Sequence, residues 1–270
     1  SKALREVVAN LPNGMSDYYD AVRRFAFSIY GKLGKKGGSY FLDKTPRYFL
    51  IIDEIEKVFP QAKFIFLFRQ PLATYASMIH AFNKGRLGDA RHRVDAYEGP
   101  LLLARGWERL ETRAHKIHFE ELLIDAEYVI PSLCDYLEVE YMPEMLEGFT
   151  ETFFGGSMGD SIGTKEYTHI NSAPLTKWKG TFSTKFRKRH AKRYLRYLGE
   201  ETIKKHGYDL EILIKEIDEL EASGIGAVKD LFDLFKGKIY CFFDIMMMKD
   251  KIKRQLRCKH EPSNIYYAHY

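Results

Sequence analysis

Residues 63–71 read KFIFLFRQP, and the fold turns on them. Five apolar residues, Phe64 to Phe68, lie between Pro60 and Pro71. A short apolar run bounded by prolines predicts a strand buried on both faces, as the strands of parallel sheets are. Working outward, a helix is expected from about Leu72 to Phe82. Upstream, SYFLDKTPRYF (39–49) predicts a short strand ending in a proline turn, followed by a helix over about 48–58. Earlier still, Tyr18, Val22, Phe25, Ala26 and Ile29 recur at the three-and-four spacing of a helix face, with Ser16 as its cap. Downstream come a polar Gly/Arg stretch to Pro100, a helix around Trp107, a strand at 116–119, and helices near 121–126 and 127–137. FFGGSMGDSIGTKEYTHINSAP (153–174) is a long glycine-rich loop, and connections of that length are usually functional or disordered. A basic helix over 184–206 ends at His206-Gly207, and Leu210, Leu213, Ile214, Ile217 and Leu220 form an amphipathic stripe. Strands alternating with helices predict an α/β fold with a doubly wound parallel sheet flanked by helices and a helical C-terminal tail. Residues 1–222 form the domain. Residues 223–270 form a linker, Ser223-Gly224-Ile225-Gly226, and an amphipathic basic tail.

The 270 residues are 45% hydrophobic and 14% aromatic, far from the composition of a disordered chain. No apolar run approaches the roughly 18 to 20 residues of a membrane-spanning helix. Three cysteines, Cys134, Cys241 and Cys258, make neither a disulfide framework nor a zinc pattern, so a reducing compartment and no metal are expected. The net charge of +5 hides an uneven distribution: residues 181–206 carry +7 and residues 236–259 carry +6, which leaves the remainder at −8. Two basic patches on an otherwise acidic chain point to an anionic ligand or surface. The chain opens without a Met or an apolar leader, and residues upstream of it are expected.

Ligands of doubly wound sheets bind beyond the carboxyl ends of the strands. Lys44 and Arg69 each follow an expected strand, 25 residues apart, so both cations are expected on one rim. Ser77, eight residues past Arg69 on the following helix, turns a hydroxyl to the same oxyanion. A planar guanidinium with a neutral donor suits phosphate. The loop GKLGKKGGS (31–39) fails the Walker A register and is read as a flexible connection.

These residues resemble a known family. The stretch DKTPRYFLIIDEIEKVFPQAKFIFLFRQPLATYASMI (43–79) is similar to a segment of sulfotransferases that use 3'-phosphoadenosine 5'-phosphosulfate (PAPS). HFEELLIDAEYVIPSLCDYLEVE (118–140) resembles their Tyr-Glu-x-Leu segment, and INSAPLTKWKGTF (170–182) their late cofactor loop with its Lys-Trp pair. The likeness covers about residues 40–209. It is nearest to protein-tyrosine sulfotransferases and bacterial enzymes with a Lys-Thr-Pro motif, which have a P-loop-like sheet. It implies that Arg69 and Ser77 bind the 3'-phosphate of PAPS and that Lys44 acts catalytically on the sulfuryl group. Phe119, Asn171, Lys177 and Trp178 would line the cofactor site. Phe119 stands where the family has a tyrosine, and Ala81 where its tyrosine-sulfating members have an arginine. Nothing in residues 1–39 reproduces the family's first strand and 5'-phosphosulfate loop. The implied acceptor is a hydroxyl of a glycan, a lipid-linked sugar or a tyrosine. The rival functions are an inactive nucleotide-binding module and an adaptor for anionic surfaces.

Other residues carry less. His115 and His118 flank no metal-binding pattern. Trp178 packs either under the nucleotide or in the core. Arg187, Lys188, Arg189, Lys192, Arg193 and Arg196 read as a solvated face, or as an attraction for polyanionic acceptors, ahead of nucleic acid. The tail, DLFDLFKGKIYCFFDIMMMKDKIKRQLR (230–257), has the composition of an interfacial helix that touches a membrane peripherally, or else packs on the core or a partner. The expected location is cytoplasmic and membrane-associated, or the Golgi lumen if a eukaryotic anchor precedes the chain.

Overall fold

The structure is a computed structural model that describes residues 2–34, 37–88, 92–147, 172–224 and 226–242. In chain order these form α1 (Lys2–Ala9), α2 (Met15–Leu33), a 3-10 turn at Pro46–Leu50, α3 (Ile52–Val58), β1 (Phe64–Phe68) and α4 (Pro71–Asn83). A π turn at Val94–Glu98 leads into α5 (Gly99–Leu110), β2 (Ala114–His118), α6 (Phe119–Ile124) and α7 (Ala126–Leu137). Two more 3-10 turns, Pro143–Leu146 and Ala173–Leu175, precede α8 (Lys177–Thr181), α9 (Lys185–Leu198), α10 (Glu200–Lys205), α11 (Leu210–Glu219) and α12 (Ala227–Phe242).

The fold is α/β, mostly helical, around a parallel pair. β1 and β2 run in register from Phe64 opposite Ala114 to Phe68 opposite His118, with α4 and α5 in the crossover between them. Among the described residues these two strands are the whole sheet, which corrects two expectations. First, β1 is not buried on both faces. Successive side chains of a strand point to opposite sides. Phe66 and Phe68 enter a cluster with Ile52, Leu110 and Trp107, while Leu67 points the other way and is 52% exposed. Second, residues 40–44 form no strand, because a strand needs a partner for its backbone N–H and C=O groups and none among the described residues pairs with them.

α4 follows from its sequence. Pro71 needs no N–H partner at the first helical position, and the Gln70 side chain caps the helix by accepting from the Ala73 N–H at 2.6 Å. Leu72, Tyr75, Ala76 and Ile79 form its buried face, and each large side chain contributes about 1.5 to 3 kcal/mol. That face meets α8, α9 and α11 in the main core, where Tyr75 stacks on Tyr194 at 4.5 Å between ring centroids.

The basic helix expected over 184–206 is two helices. Gly199, at φ 81°, breaks it into α9 and α10. Several of its cations are structural. The Arg187 guanidinium donates two 2.8 Å hydrogen bonds to buried Asp230, and the Lys188 ammonium donates to the Asp218 and Leu220 carbonyls. Lys192 pairs with Asp218. These three are therefore not part of a free face for polyanions. The segment read as a linker is also stitched down: Ser223 N–H donates to the Ser183 carbonyl at 2.7 Å, and Lys185 N–H to the Gly224 carbonyl at 3.2 Å. No helix among the described residues is long and apolar enough to cross a membrane.

Candidate functional site

The register of the parallel pair fixes the rim. Phe68 and His118 are the last paired residues, so the next residue of each strand, Arg69 and Phe119, emerge side by side. The Arg69 guanidinium lies 4.5 Å from the centre of the Phe119 ring, a cation–π seat that fixes a planar donor group at the strand ends. Phe119 thus acts through its ring alone. The neighbour of Arg69 is β2 rather than a strand ending at Lys44.

Behind this seat lies an open cleft of about 720 Å³ whose wall includes Gln70, Glu120, Trp178, Lys179, Lys204 and Tyr208. Glu120 organises it. One carboxylate oxygen accepts from the Gln70 N–H at 2.9 Å and the other from the Tyr208 hydroxyl at 2.5 Å. Burial first, and then this carboxylate, push the Tyr208 phenol well above the usual tyrosine range, so it stays a donor. One carboxylate therefore ties the end of β1 to the segment that leads into α11.

His206 braces the rim from below. Its Nε2 donates to the Pro100 carbonyl at 2.9 Å, its own carbonyl accepts from His118 Nε2 at 3.0 Å, and its ring lies 4.7 Å from that of Phe68. Burial pulls its pKa from 6.5 to about 4, so it is neutral at physiological pH. Beside it the Lys116 ammonium sits 4.5 Å over the Trp107 ring and donates to the Lys205 carbonyl, and burial lowers its pKa. His118 is thus bonded to the His206 carbonyl, and His115 stacks on Tyr136.

Lys44 is positioned differently. It is exposed on the irregular stretch before Pro46, yet both sides of it are tethered. Asp43 accepts from the Tyr30 and Tyr48 hydroxyls, the latter at 2.7 Å, and Arg47 makes a two-pronged pair with Asp95 at 2.7 and 2.6 Å. Tyr30 in turn stacks on Phe41 at 4.3 Å. Burial, and then the Asp43 bond, raise the Tyr30 hydroxyl above its ordinary pKa, which keeps it a donor.

The structure therefore brings Arg69 and Phe119 together and puts Trp178 in the adjoining wall. Trp178 is mainly a core residue, 4% exposed and packed with Phe182. Ser77 is exposed two turns into α4, on the helical face that begins at Gln70 and Thr74. Lys177 is exposed at the start of α8, and Asn171 lies outside the described residues. Glu120, Tyr208, Lys179 and Lys204 were not expected in the site. Glu120 adjoins Phe119 within the recognised segment, but its link to Tyr208 spans 88 residues and leaves no trace in local spacing.

The parallel pair thus presents a seated arginine at its carboxyl end, beside a cleft with two lysines in its wall. Residues 8–143, half of the chain, match the sulfotransferase family, and the chain belongs to that family. It is similar to the nodulation protein NoeE of Sinorhizobium fredii, with 36% identity over 66 residues, which are 24% of this chain and 16% of that protein. The match thus spans about a sixth of that relative's length. A solved sulfotransferase domain from the curacin biosynthetic pathway aligns with 77% of this chain and 78% of its own, at 16% identity and a TM-score of 0.44. Family membership implies a sulfonate donor.

Proposed function

We propose that the chain moves a sulfuryl group from PAPS to a hydroxyl of a glycan, a glycolipid or a tyrosine. The observation that carries this reading is the Arg69 guanidinium seated on Phe119 at the carboxyl end of the parallel pair, in a chain of the sulfotransferase family.

The residues present fit a phosphorylated donor. At the start of α4 two backbone donors are committed and one is missing: Pro71 has none, Gln70 N–H is held by Glu120, and Ala73 N–H by the Gln70 side chain. Side chains supply the anion's main partners here, with Arg69 giving the charged fork and Ser77 a neutral hydroxyl for the 3'-phosphate. Lys177 and Asn171 belong to the late donor loop, and Trp178 stiffens it from the core. PAPS supplies the chemistry of a sulfonate on a good leaving group. The bond from sulfur to the 5'-phosphate oxygen breaks, the bisphosphate keeps the electron pair, a bond forms from sulfur to the acceptor oxygen, and the acceptor proton is released. Lys44 places positive charge where negative charge gathers on the sulfonate and bridging oxygens, the kind of electrostatic stabilisation that dominates transfers of this type.

The test is transfer of radiolabelled sulfonate from PAPS by the full-length protein to a panel of glycans, glycolipids and tyrosine peptides. Label on one class of acceptor is the expected result. Binding of adenosine 3',5'-bisphosphate without transfer to any acceptor or to water would leave a nucleotide-binding module instead.

A further inference from the structure

α12 has two opposed faces. Asp230 is buried against Arg187, with side chains 5% and 17% exposed, and Leu234, one turn on, packs against the main core. The helix is held close. Gly226, at φ 58°, turns the chain into it, and a Cβ there would lie 2.7 Å from the Thr184 side chain, so only glycine lets the segment lie against α9. On the other side, Val228, Phe232, Phe235 and Ile239 recur at spacings of four, three and four, which places them on one line along the helix. They face solvent: Val228 is 85% exposed, Phe232 65% and Phe235 62%, with Leu231 beside them. Lys229 and Lys236 border this stripe on one flank and Lys238 on the other, all exposed. Residues 236–259 carry a net charge of +6 in sequence.

We infer that the outer face of α12 lies on an anionic lipid surface. The ion pair to Arg187 fixes the helix to the body with its apolar stripe outward. The aromatic rings then enter the boundary between headgroups and acyl chains, while the flanking lysines reach the anionic headgroups along their aliphatic stems. Charge decides between occupants. A second copy of this chain would bring the same lysines against each other, whereas an acidic bilayer complements them. The inference does not depend on the sulfuryl-transfer reading, since none of these residues belongs to the donor site.

The experiment is sedimentation of the full-length protein with vesicles of phosphatidylcholine alone, and with vesicles containing about a third phosphatidylserine. Binding is expected on the acidic vesicles only. The double variant Phe232→Ser/Phe235→Ser, whose rings are exposed and whose folding is checked by thermal melting, should lower partitioning by about tenfold or more. Lys229→Gln, Lys236→Gln and Lys238→Gln should each lower it by about fivefold. Three results would overturn the proposal: no binding to acidic vesicles, binding that the ring replacements leave unchanged, and a lipid-free dimer that they dissolve.

Discussion

Arg69 and Lys44 are the two cations on which the proposed chemistry rests, and the protein places them by opposite means. Arg69 is delivered by a hydrogen-bonded strand and seated on an aromatic ring, and its chain neighbours Gln70 and Phe68 are held by Glu120 and His206. Lys44 sits on an irregular stretch that side chains tether, Asp43 to two tyrosines and Arg47 to Asp95. A strand end suits a group that must hold a fixed anion. A tethered stretch keeps an exposed lysine near one place, which suits the role proposed for Lys44 at the transferring group. On the proposed function, the first arrangement serves binding and the second turnover.

The sharpest way to break this contrast is Lys44→Ala. A lysine that acts mainly in the transition state should cost on the order of 10² to 10³ in turnover and leave donor affinity nearly unchanged, as steady-state kinetics beside calorimetry will show. An equal loss in both would make Lys44 a second binding residue. Next in size, Arg69→Ala should weaken binding of adenosine 3',5'-bisphosphate by about 1.5 to 3 kcal/mol, while binding of the analogue without a 3'-phosphate barely changes. If both nucleotides lose equally, the assigned phosphate is wrong.

His206 separates the two regions by pH. Its folded pKa of about 4 lies below the ordinary 6.5, so between those values the unfolded chain takes up a proton that the folded chain does not. Stability due to this group is complete above about pH 6.5 and falls by about 1.4 kcal/mol per unit as the pH drops towards 4. Urea midpoints at neutral and mildly acid pH should therefore converge in His206→Gln and diverge in the parent protein. Parallel slopes would show that acid acts elsewhere. The smallest expected effect is that of Phe119→Leu, which removes the ring but not the bulk. A loss of about 0.5 to 1 kcal/mol in bisphosphate binding, with turnover by bound enzyme unchanged, would confirm the ring as a seat for Arg69.

The contrast also explains what the sequence made legible. Phe64 to Phe68, the proline after them and the helix face of Leu72, Tyr75 and Ile79 are local patterns, and the structure follows them closely. SYFLDK has the same composition as a strand, but whether such a segment joins a sheet depends on a partner, which local pattern does not encode. Leu67 misleads in the same way, because an apolar residue is read as buried whether or not its face is covered. Gly199 is visible as a glycine inside a helical run, yet only its positive φ shows that the run breaks there. Within the candidate site, Arg69 and Phe119 are each found by motif, but their stacking follows from the register of two strands fifty residues apart. The Glu120–Tyr208 bridge depends on the fold alone.

The Arg187–Asp230 pair has a consequence for how α12 answers to ionic strength. At about 0.1 M salt the Debye length is about 10 Å, and exposed charges further apart than that scarcely feel one another, whereas a pair buried in contact is screened far less. On the proposed membrane reading, raising salt should therefore weaken the attraction of Lys229, Lys236 and Lys238 for an acidic bilayer without loosening the helix from α9. One helix would then carry two electrostatic attachments with different salt sensitivities, and the one to the body, through Arg187 and Asp230, would be the more durable.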